Sequence, residues 1–337
     1  MIIIMERHAS PEATEVVISY LKEYNLQPIP LFNGNQTVIV CSGDTEAISV
    51  KSILSLDKVE RATKISAPYK LAAKSEDKQQ TVIQLNNVSI GGDQLALMAG
   101  PCSVESYEQM DTTAAAVKKA GANILRAGAF KPRTTPYSFQ GLGEEGLEIL
   151  RAIGDKYDMP VITEVLDTRD VELVEKYTDI FQIGARNMQN FRLLETVGRT
   201  NTPVMLKRGP TATIKEMLLA AEYILSNGNM NVMFCERGIR TFEQETRNTL
   251  CLATVPIIKK LSHLPIIVDP SHGTGNPDYI PAMSFAAIAA GADGIMVEVH
   301  PNPPESVSDA DQALSIPEFD DLVTKARPII AAVNKTL

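Results

Sequence analysis

Six cationic side chains, Arg126, Lys131, Arg133, Arg186, Lys207 and Arg237, stand at or just past the ends of short apolar runs in a chain whose formal net charge is −9. Cations concentrated in an acidic chain suit anions, and guanidinium forks beside ammonium groups match the oxygens of phosphates and carboxylates. The stretch LRAGAFKPRTTPYSFQGLGEEG is the most specific in the chain. In it Arg126 and Lys131 share one strand end, Pro132 and Pro136 stiffen the loop, and Arg133 with Thr134 pairs a forked cation with a hydroxyl. Like charges gathered in a mouth of limited dielectric repel one another strongly unless anions sit among them, so six cations imply more than one anionic group. Arg192, Arg208, Arg240 and Arg247 are read as surface or structural residues that frame the loops.

A second set of residues suggests a metal. Cys102 follows the run LALMAG, His272 follows PIIVDPS, Glu298 closes GIMVE, and Asp309 lies in the loop PNPPESVSDADQ just beyond. A thiolate, an imidazole and two carboxylates form a plausible divalent-metal site, although their mixed softness selects no single ion. Singly, a Cys beside a strand is more often a small buried hydrophobe and a lone His more often structural; their shared rim is what favours ligation. His300 shapes a loop and His263 stands at the opposite end of its strand, so neither is expected to be a ligand.

Such side chains converge only if the elements carrying them share a direction. ANILRAG, FQIGAR, PVMLKRG and NVMFCERG read as buried strands, and EEGLEILRAIGDKY and IKEMLLAAEYILSN between them read as helices. That alternation indicates βαβ units and a parallel sheet, which binds ligands beyond the carboxyl ends of its strands. Strands are expected to end near Ala99, Arg126, Glu164, Gly184, Lys207, Glu236, Asp269 and Glu298. Eight ends fit a closed (β/α)8 barrel of about 250 residues, in preference to an open doubly wound sheet with a miscounted strand. No G-x-G-x-x-G follows the first of these strands and no Walker lysine motif occurs, so the main nucleotide-binding folds have no support.

At 337 residues the chain exceeds one barrel, and a smaller domain is expected at residues 1–65, with a linker at 66–80 and the barrel at 81–337. MIIIM, the helical ASPEATEVVISYLKEYN, IPLFN, an Asn33-Gly34 turn, QTVIVCSG, a helix around TEAISVKSILSL, and VERATKIS give the β-α-β-β-α-β order of a small α+β ferredoxin-like domain. Its His8 and Cys41 are isolated, so sensing or assembly is its expected task. TVIQLNNVSIGGDQ reads as a hairpin turning at Asn86-Asn87 and plugging the lower end of the barrel. The start of the chain carries no basic stretch, and its apolar run is too short for a signal or membrane-spanning segment, which points to the cytoplasm. Cys41, Cys102, Cys235 and Cys251 are widely spaced and read as reduced thiols. With a pI near 5.1 and no long basic block, neither nucleic acid nor an anionic membrane is an expected partner.

AGPCSVES, LRAGAFKPRTTPYSFQGLG, QIGARNMQNFRLL, LKRG, CERGIRTFE, VDPSHGTG and IMVEVHP, in this order, resemble the type I beta 3-deoxy-D-arabino-heptulosonate 7-phosphate (DAHP) synthases from about residue 81 onward. The first 65 residues resemble more loosely the ferredoxin-like regulatory domain of some members, and not the chorismate mutase bundle of others. The resemblance implies a transferase of the shikimate pathway that condenses phosphoenolpyruvate with erythrose 4-phosphate. It implies a divalent metal, with Mn2+ the first expectation, on Cys102, His272, Glu298 and Asp309. Arg126, Lys131, Arg186, Lys207 and Arg237 match the phosphoenolpyruvate site, with Arg186 and Arg237 on the phosphate and Lys131 and Lys207 near the carboxylate and reacting carbons. Gly184 and Ala185 would line it through their backbone, and Arg133 and Thr134 would receive the sugar phosphate. Lys131 is the candidate proton donor. The GTGN after His272 departs slightly from other members and leaves the ligand in place. A homotetramer and a tyrosine or phenylalanine effector at the N-terminal domain are also implied. Two other readings are weighed: a 3-deoxy-D-manno-octulosonate 8-phosphate synthase, which the KPRT element disfavours, and a non-catalytic phosphometabolite sensor, which the intact ligand set disfavours.

Overall fold

The structure is a computed structural model and describes residues 1–33, 36–45, 48–64, 68–75, 79–132 and 135–337. The chain opens with β1 (Ile2–Met5), α1 (Pro11–Glu23), β2 (Gln27–Asn33), β3 (Gln36–Ser42), α2 (Val50–Leu54) and β4 (Val59–Thr63), whose strands pair antiparallel in the order β2-β3-β1-β4. This is the ferredoxin-like arrangement. Ser10 starts α1 by accepting the Ala13 N–H, Pro11 occupies the first turn, and Thr14, Val17, Ile18 and Leu21 recur at helical spacing on the buried face. Those residues pack with Ile3, Met5, Ile39, Cys41 and Ile53 under one face of the sheet. Ile2 and Val40, of opposite parity, join the barrel's outer core instead. The second helix is shorter than its sequence suggests, because Ser49 caps it only at Lys51. The turn read at Asn33-Gly34 falls at the edge of the described residues.

Within the stretch read as a linker, Tyr69, Leu71, Ala72 and Ala73 are buried in the barrel's outer core. Leu71, Ala72 and Ala73 are drawn there by apolar character that the surrounding Lys, Ser, Asp and Gln residues mask in the average. β5 (Ile83–Leu85) and β6 (Val88–Ile90) form the expected hairpin, with Asn86 at φ 43° at its turn. Asn tolerates that left-handed backbone better than most residues.

The remaining strands, β7 (Ala96–Gly100), β8 (Ile124–Arg126), β9 (Val161–Glu164), β10 (Ile180–Ile183), β11 (Val204–Lys207), β12 (Val232–Glu236), β13 (Ile266–Val268) and β14 (Gly294–Glu298), close into a parallel barrel. Every strand ends within one residue of its expected position. Successive side chains alternate between the two sides of a strand, so Leu125, Phe181, Leu206 and Phe234 face the surrounding helices while Ile124, Ile162, Met205, Cys235, Ile267 and Met296 fill the barrel. Ile83, Leu85, Val88 and Ile90 of the hairpin join that interior cluster, closing the end opposite the site. Among the helices, α6 (Phe191–Gly198) and α7 (Ile214–Leu225) follow β10 and β11, α8 (Thr254–Leu261) follows β12, and the short α9 (Pro270–Thr274) follows β13. No helix among the described residues is long and apolar enough to cross a membrane.

Candidate active site

One step of strand parity above the apolar interior lies the site. Two residues beyond Ile124, Ile162, Met205, Cys235, Ile267 and Met296 stand Arg126, Glu164, Lys207, Arg237, Asp269 and Glu298. The pleat therefore aims these side chains into the mouth of the barrel, at the strand ends where (β/α)8 enzymes place their chemistry. The mouth encloses about 400 Å³, lined by Arg126, Lys131, Gly184, Ala185, Arg186, Lys207, Arg237, His272 and Asp309 among the candidates. Arg133 and Thr134 lie outside the described residues.

The cations fall into two groups. Arg126 is buried; its Nη1 donates to Glu298 Oε1 at 2.8 Å and to the Pro101 carbonyl at 2.9 Å, while its Nε has no partner among the described residues. Lys207 is buried and donates to Asp269 Oδ2 at 2.6 Å. Breaking such a buried pair from one side costs about 3–5 kcal/mol, because the remaining charge is stranded. By contrast Lys131, Arg186 and Arg237 have no carboxylate within ion-pair distance among the described residues. Arg186 is exposed, with Nη1 on the Pro132 carbonyl at 3.1 Å. Arg237 is buried; burial lowers its pKa, Asp269 opposes that, and neighbouring Arg247 lowers it further. Mutual repulsion among the five described cations is thus partly relieved by carboxylates built into the barrel, a relief that the sequence reading assigned to bound anions alone.

The expected metal ligands also gather. One donor atom each from Cys102, Glu298 and Asp309 lies within 4.8 Å of the others. His272 flanks this trio, with Nε2 3.6 Å from Glu298 Oε1 and Nδ1 2.8 Å from Asp269 Oδ2. A soft sulfur and two carboxylates with an imidazole nearby suit a divalent cation. Burial and then Glu298 push the Cys102 thiol up to about 11. Burial would raise Glu298, but His272 and Arg126 hold it below the usual carboxylate range. Asp309 is likewise lowered against burial, chiefly by Arg247, and burial lowers His272 against the pull of Asp269 and Glu298. Lys131 joins the two halves of the site. Its Nζ donates to the Cys102 carbonyl at 2.9 Å and to Cys102 Sγ at 3.0 Å.

Several residues of the site were not singled out in the sequence. Asp269 is fully buried, accepts from Lys207 and caps α9 by accepting the His272 N–H at 2.9 Å. Glu164 accepts from Gln182 Nε2 at 3.1 Å and lines the mouth. Their inward parity with Arg126 and Lys207 was the available signal. Arg240 and Arg247, read as frame residues, line the mouth, whereas Arg208 is buried outside the barrel wall, bonded to Glu236 at 2.8 Å and Thr254 at 3.1 Å. Arg192 is a surface residue paired with Glu195. His300 and His263 keep structural roles: His300 Nδ1 accepts the Asn302 N–H, and His263 contacts Thr81 and the Leu71 carbonyl.

A closed parallel barrel with a cationic mouth beside a Cys-Glu-Asp cluster defines the class as a phosphate-handling (β/α)8 enzyme. The sequence pattern of the DAHP synthetase I family matches residues 72–331, that of the DAHP synthase ferredoxin-like domain matches residues 1–67, and the chain belongs to the DAHP synthetase I family. It is 48% identical to a phospho-2-dehydro-3-deoxyheptonate aldolase of Thermotoga maritima over 99% of both chains. The crystal structure of a Thermotoga maritima phospho-2-dehydro-3-deoxyheptonate aldolase (DAHP synthase) superposes with a TM-score of 0.80 at 47% identity, covering 99% of this chain and 98% of that one. A 2-dehydro-3-deoxyphosphooctonate aldolase of Koribacter versatilis is 31% identical over 74% of this chain and 96% of its own length.

Proposed function

We propose that this enzyme condenses phosphoenolpyruvate with erythrose 4-phosphate and water to give DAHP and phosphate, at the entry to aromatic amino-acid synthesis. The observation that carries the reading is the position of Lys131, bonded to Cys102 at one edge of the ligand cluster while lining the anion-binding mouth. Arg186 and Arg237, free of carboxylate partners among the described residues, hold the phosphate of phosphoenolpyruvate, and Lys207 with the Nε of Arg126, which no described residue engages, faces its carboxylate end. The backbone of Gly184 and Ala185 lines the same substrate, and Arg133 with Thr134 takes the sugar phosphate. Holding two phosphorylated reactants that repel one another is a large part of the catalysis.

Cys102, His272, Glu298 and Asp309 fit a divalent cation such as Mn2+, which when bound supplies a Lewis acid for the sugar aldehyde. Carbon 3 of phosphoenolpyruvate attacks the aldehyde carbon, and Lys131 gives its proton to the alkoxide that forms. Water adds at carbon 2, with Glu164 placed to take the proton. The resulting hemiketal phosphate breaks its C–O bond, releasing phosphate and leaving the ketone.

We further infer feedback control by an aromatic amino acid through the small domain, in a cytoplasmic homotetramer, with the chain divided at 1–65, 66–80 and 81–337. What supports control is contact: the small sheet meets α6 and α7 across an apolar cavity of about 610 Å³ that includes Leu31, Val40, Gln189, Phe191 and Tyr223. Those helices follow the turn that carries Arg186 and the strand that ends at Lys207. Removing residues 1–65 should leave activity that tyrosine and phenylalanine no longer inhibit; inhibition that survives the truncation refutes this reading. Light scattering tests the tetramer.

The octulosonate alternative rests on the 31% identity noted above and is separated by substrate. Phosphoenolpyruvate consumption should occur with erythrose 4-phosphate and not with arabinose 5-phosphate. Consumption with the five-carbon sugar alone would reassign the chain, and inactivity with both would favour a sensor.

A further inference from the structure

The loop after β12 reaches the metal-ligand cluster from outside. The Arg247 N–H donates to the Thr274 carbonyl at 2.8 Å, the Asn248 N–H donates to the Gly273 carbonyl at 2.9 Å, and Asn248 Nδ2 donates to the His272 carbonyl at 2.9 Å. The segment is therefore stitched along the short helix that carries His272. From that anchored backbone the Arg247 side chain crosses to the other side of the cluster, where Nη1 donates to Gln312 Oε1 at 2.5 Å and lies 3.4 Å from Asp309 Oδ1. Gln312 is buried, and its Nε2 donates to Glu298 Oε2 at 2.6 Å.

The chemistry of the amide makes this chain directional. Arg can only donate, so Gln312 must turn its oxygen to Arg247 and its NH2 to Glu298. With Oε2 held by Gln312 and Oε1 held by Arg126, the Glu298 carboxylate is fixed in rotation, and Arg247 also steadies Asp309. Groups that orient ligating carboxylates from behind commonly change metal affinity by about 10–100-fold when removed.

We propose that Arg247 is a positioning residue for the metal site: through Gln312 and Asp309 it sets the orientation of two carboxylate ligands, and with Asn248 it ties them to the short helix bearing His272. The inference rests on the proposed metal site and adds to it a residue that is not itself a ligand. The Arg247→Met variant removes the guanidinium and leaves both backbone bonds of the clasp intact, so the fold is spared.

The test is a Co2+ titration of the full chain, read by the absorption of a cysteine thiolate bound to cobalt. Wild type should show that band, and Arg247→Met should need about 10–100-fold more Co2+ to reach it while the metal-free melting temperature stays within a few degrees. Gln312→Leu should also lose affinity, and the double variant should lose little beyond Arg247→Met alone, because the Gln312 contribution lies along the chain of bonds that Arg247→Met already breaks. Arg247→Lys, which keeps the charge and one donor direction, should recover part of the affinity and serves if the Met variant is poorly folded. Unchanged cobalt affinity in the folded variants, or fully additive losses, overturns the role of Arg247. Absence of the thiolate band in wild type itself sinks the metal site, and this inference with it, so the two failures are told apart.

Discussion

Lys131 separates what binds from what reacts. Arg186 and Arg237 can attract anions from where they stand, but the Lys131 ammonium also touches the sulfur and carbonyl of Cys102. Replacing it by Met keeps the stem and removes the proton. Lys131→Met should lower kcat by about 10²–10⁴-fold with an unchanged fold; a steady-state assay showing near-normal turnover would remove Lys131 from the mechanism. Gly184 is constrained differently: a Cβ built there meets Glu164 Oε1 at 2.0 Å, with no positive φ to blame. Gly184→Ala should therefore displace Glu164 and cut kcat/KM by roughly tenfold or more, equivalent to about 1.4 kcal/mol, while melting changes little. A kinetic profile like that of wild type would mean that Glu164 has room to move without consequence. At this scale the sequence offered the cations, Cys102, His272 and Glu298 as candidates because each sits at or near the end of an apolar run, and Asp309 because its loop follows the last strand. Asp269 and Glu164 were not singled out, since an acid at a strand end is unremarkable until its parity with Lys207 or Arg126 is counted.

The strands set that parity, and the hairpin protects it. Strand ends were readable to within a residue because all eight runs are buried on both sides and stop at charged or glycine residues. The helix expected around TEAISVKSILSL shrank to Val50–Leu54, where Ser49 makes its own cap. Within the stretch read as a linker, Tyr69 and Leu71 are buried although charges dominate its composition. Ile90 of β6 is fully buried against the barrel interior, far along the strands from the site. Ile90→Ala should cost about 2–5 kcal/mol of stability, seen in chemical denaturation, and leave kcat/KM close to wild type. If activity fell as far as stability, the plug would have to be coupled to the mouth.

Across the whole molecule, electrostatics link metal binding to pH. Burial pushes the Cys102 thiol up to about 11, the carboxylates of Glu298 and Asp309 are lowered against burial by neighbouring cations and His272, and burial lowers His272. Loading a metal should therefore expel one proton, from Cys102. Apparent affinity should rise about tenfold per pH unit between about pH 6 and pH 8, as measured by Co2+ titration at several pH values; a flat profile would mean that sulfur is not a ligand. Family membership was legible because its motifs sit at the strand ends in order. Feedback control and a homotetramer were expected only through the resemblance, since both depend on surfaces whose partners no motif names.

The most direct test follows the loss of phosphoenolpyruvate absorbance with erythrose 4-phosphate before chelation, after chelation and after Mn2+ is returned. The site described here predicts consumption that stops with the chelator and recovers with the metal. Consumption that persists in the fully chelated enzyme would contradict a reaction built on Cys102, His272, Glu298 and Asp309.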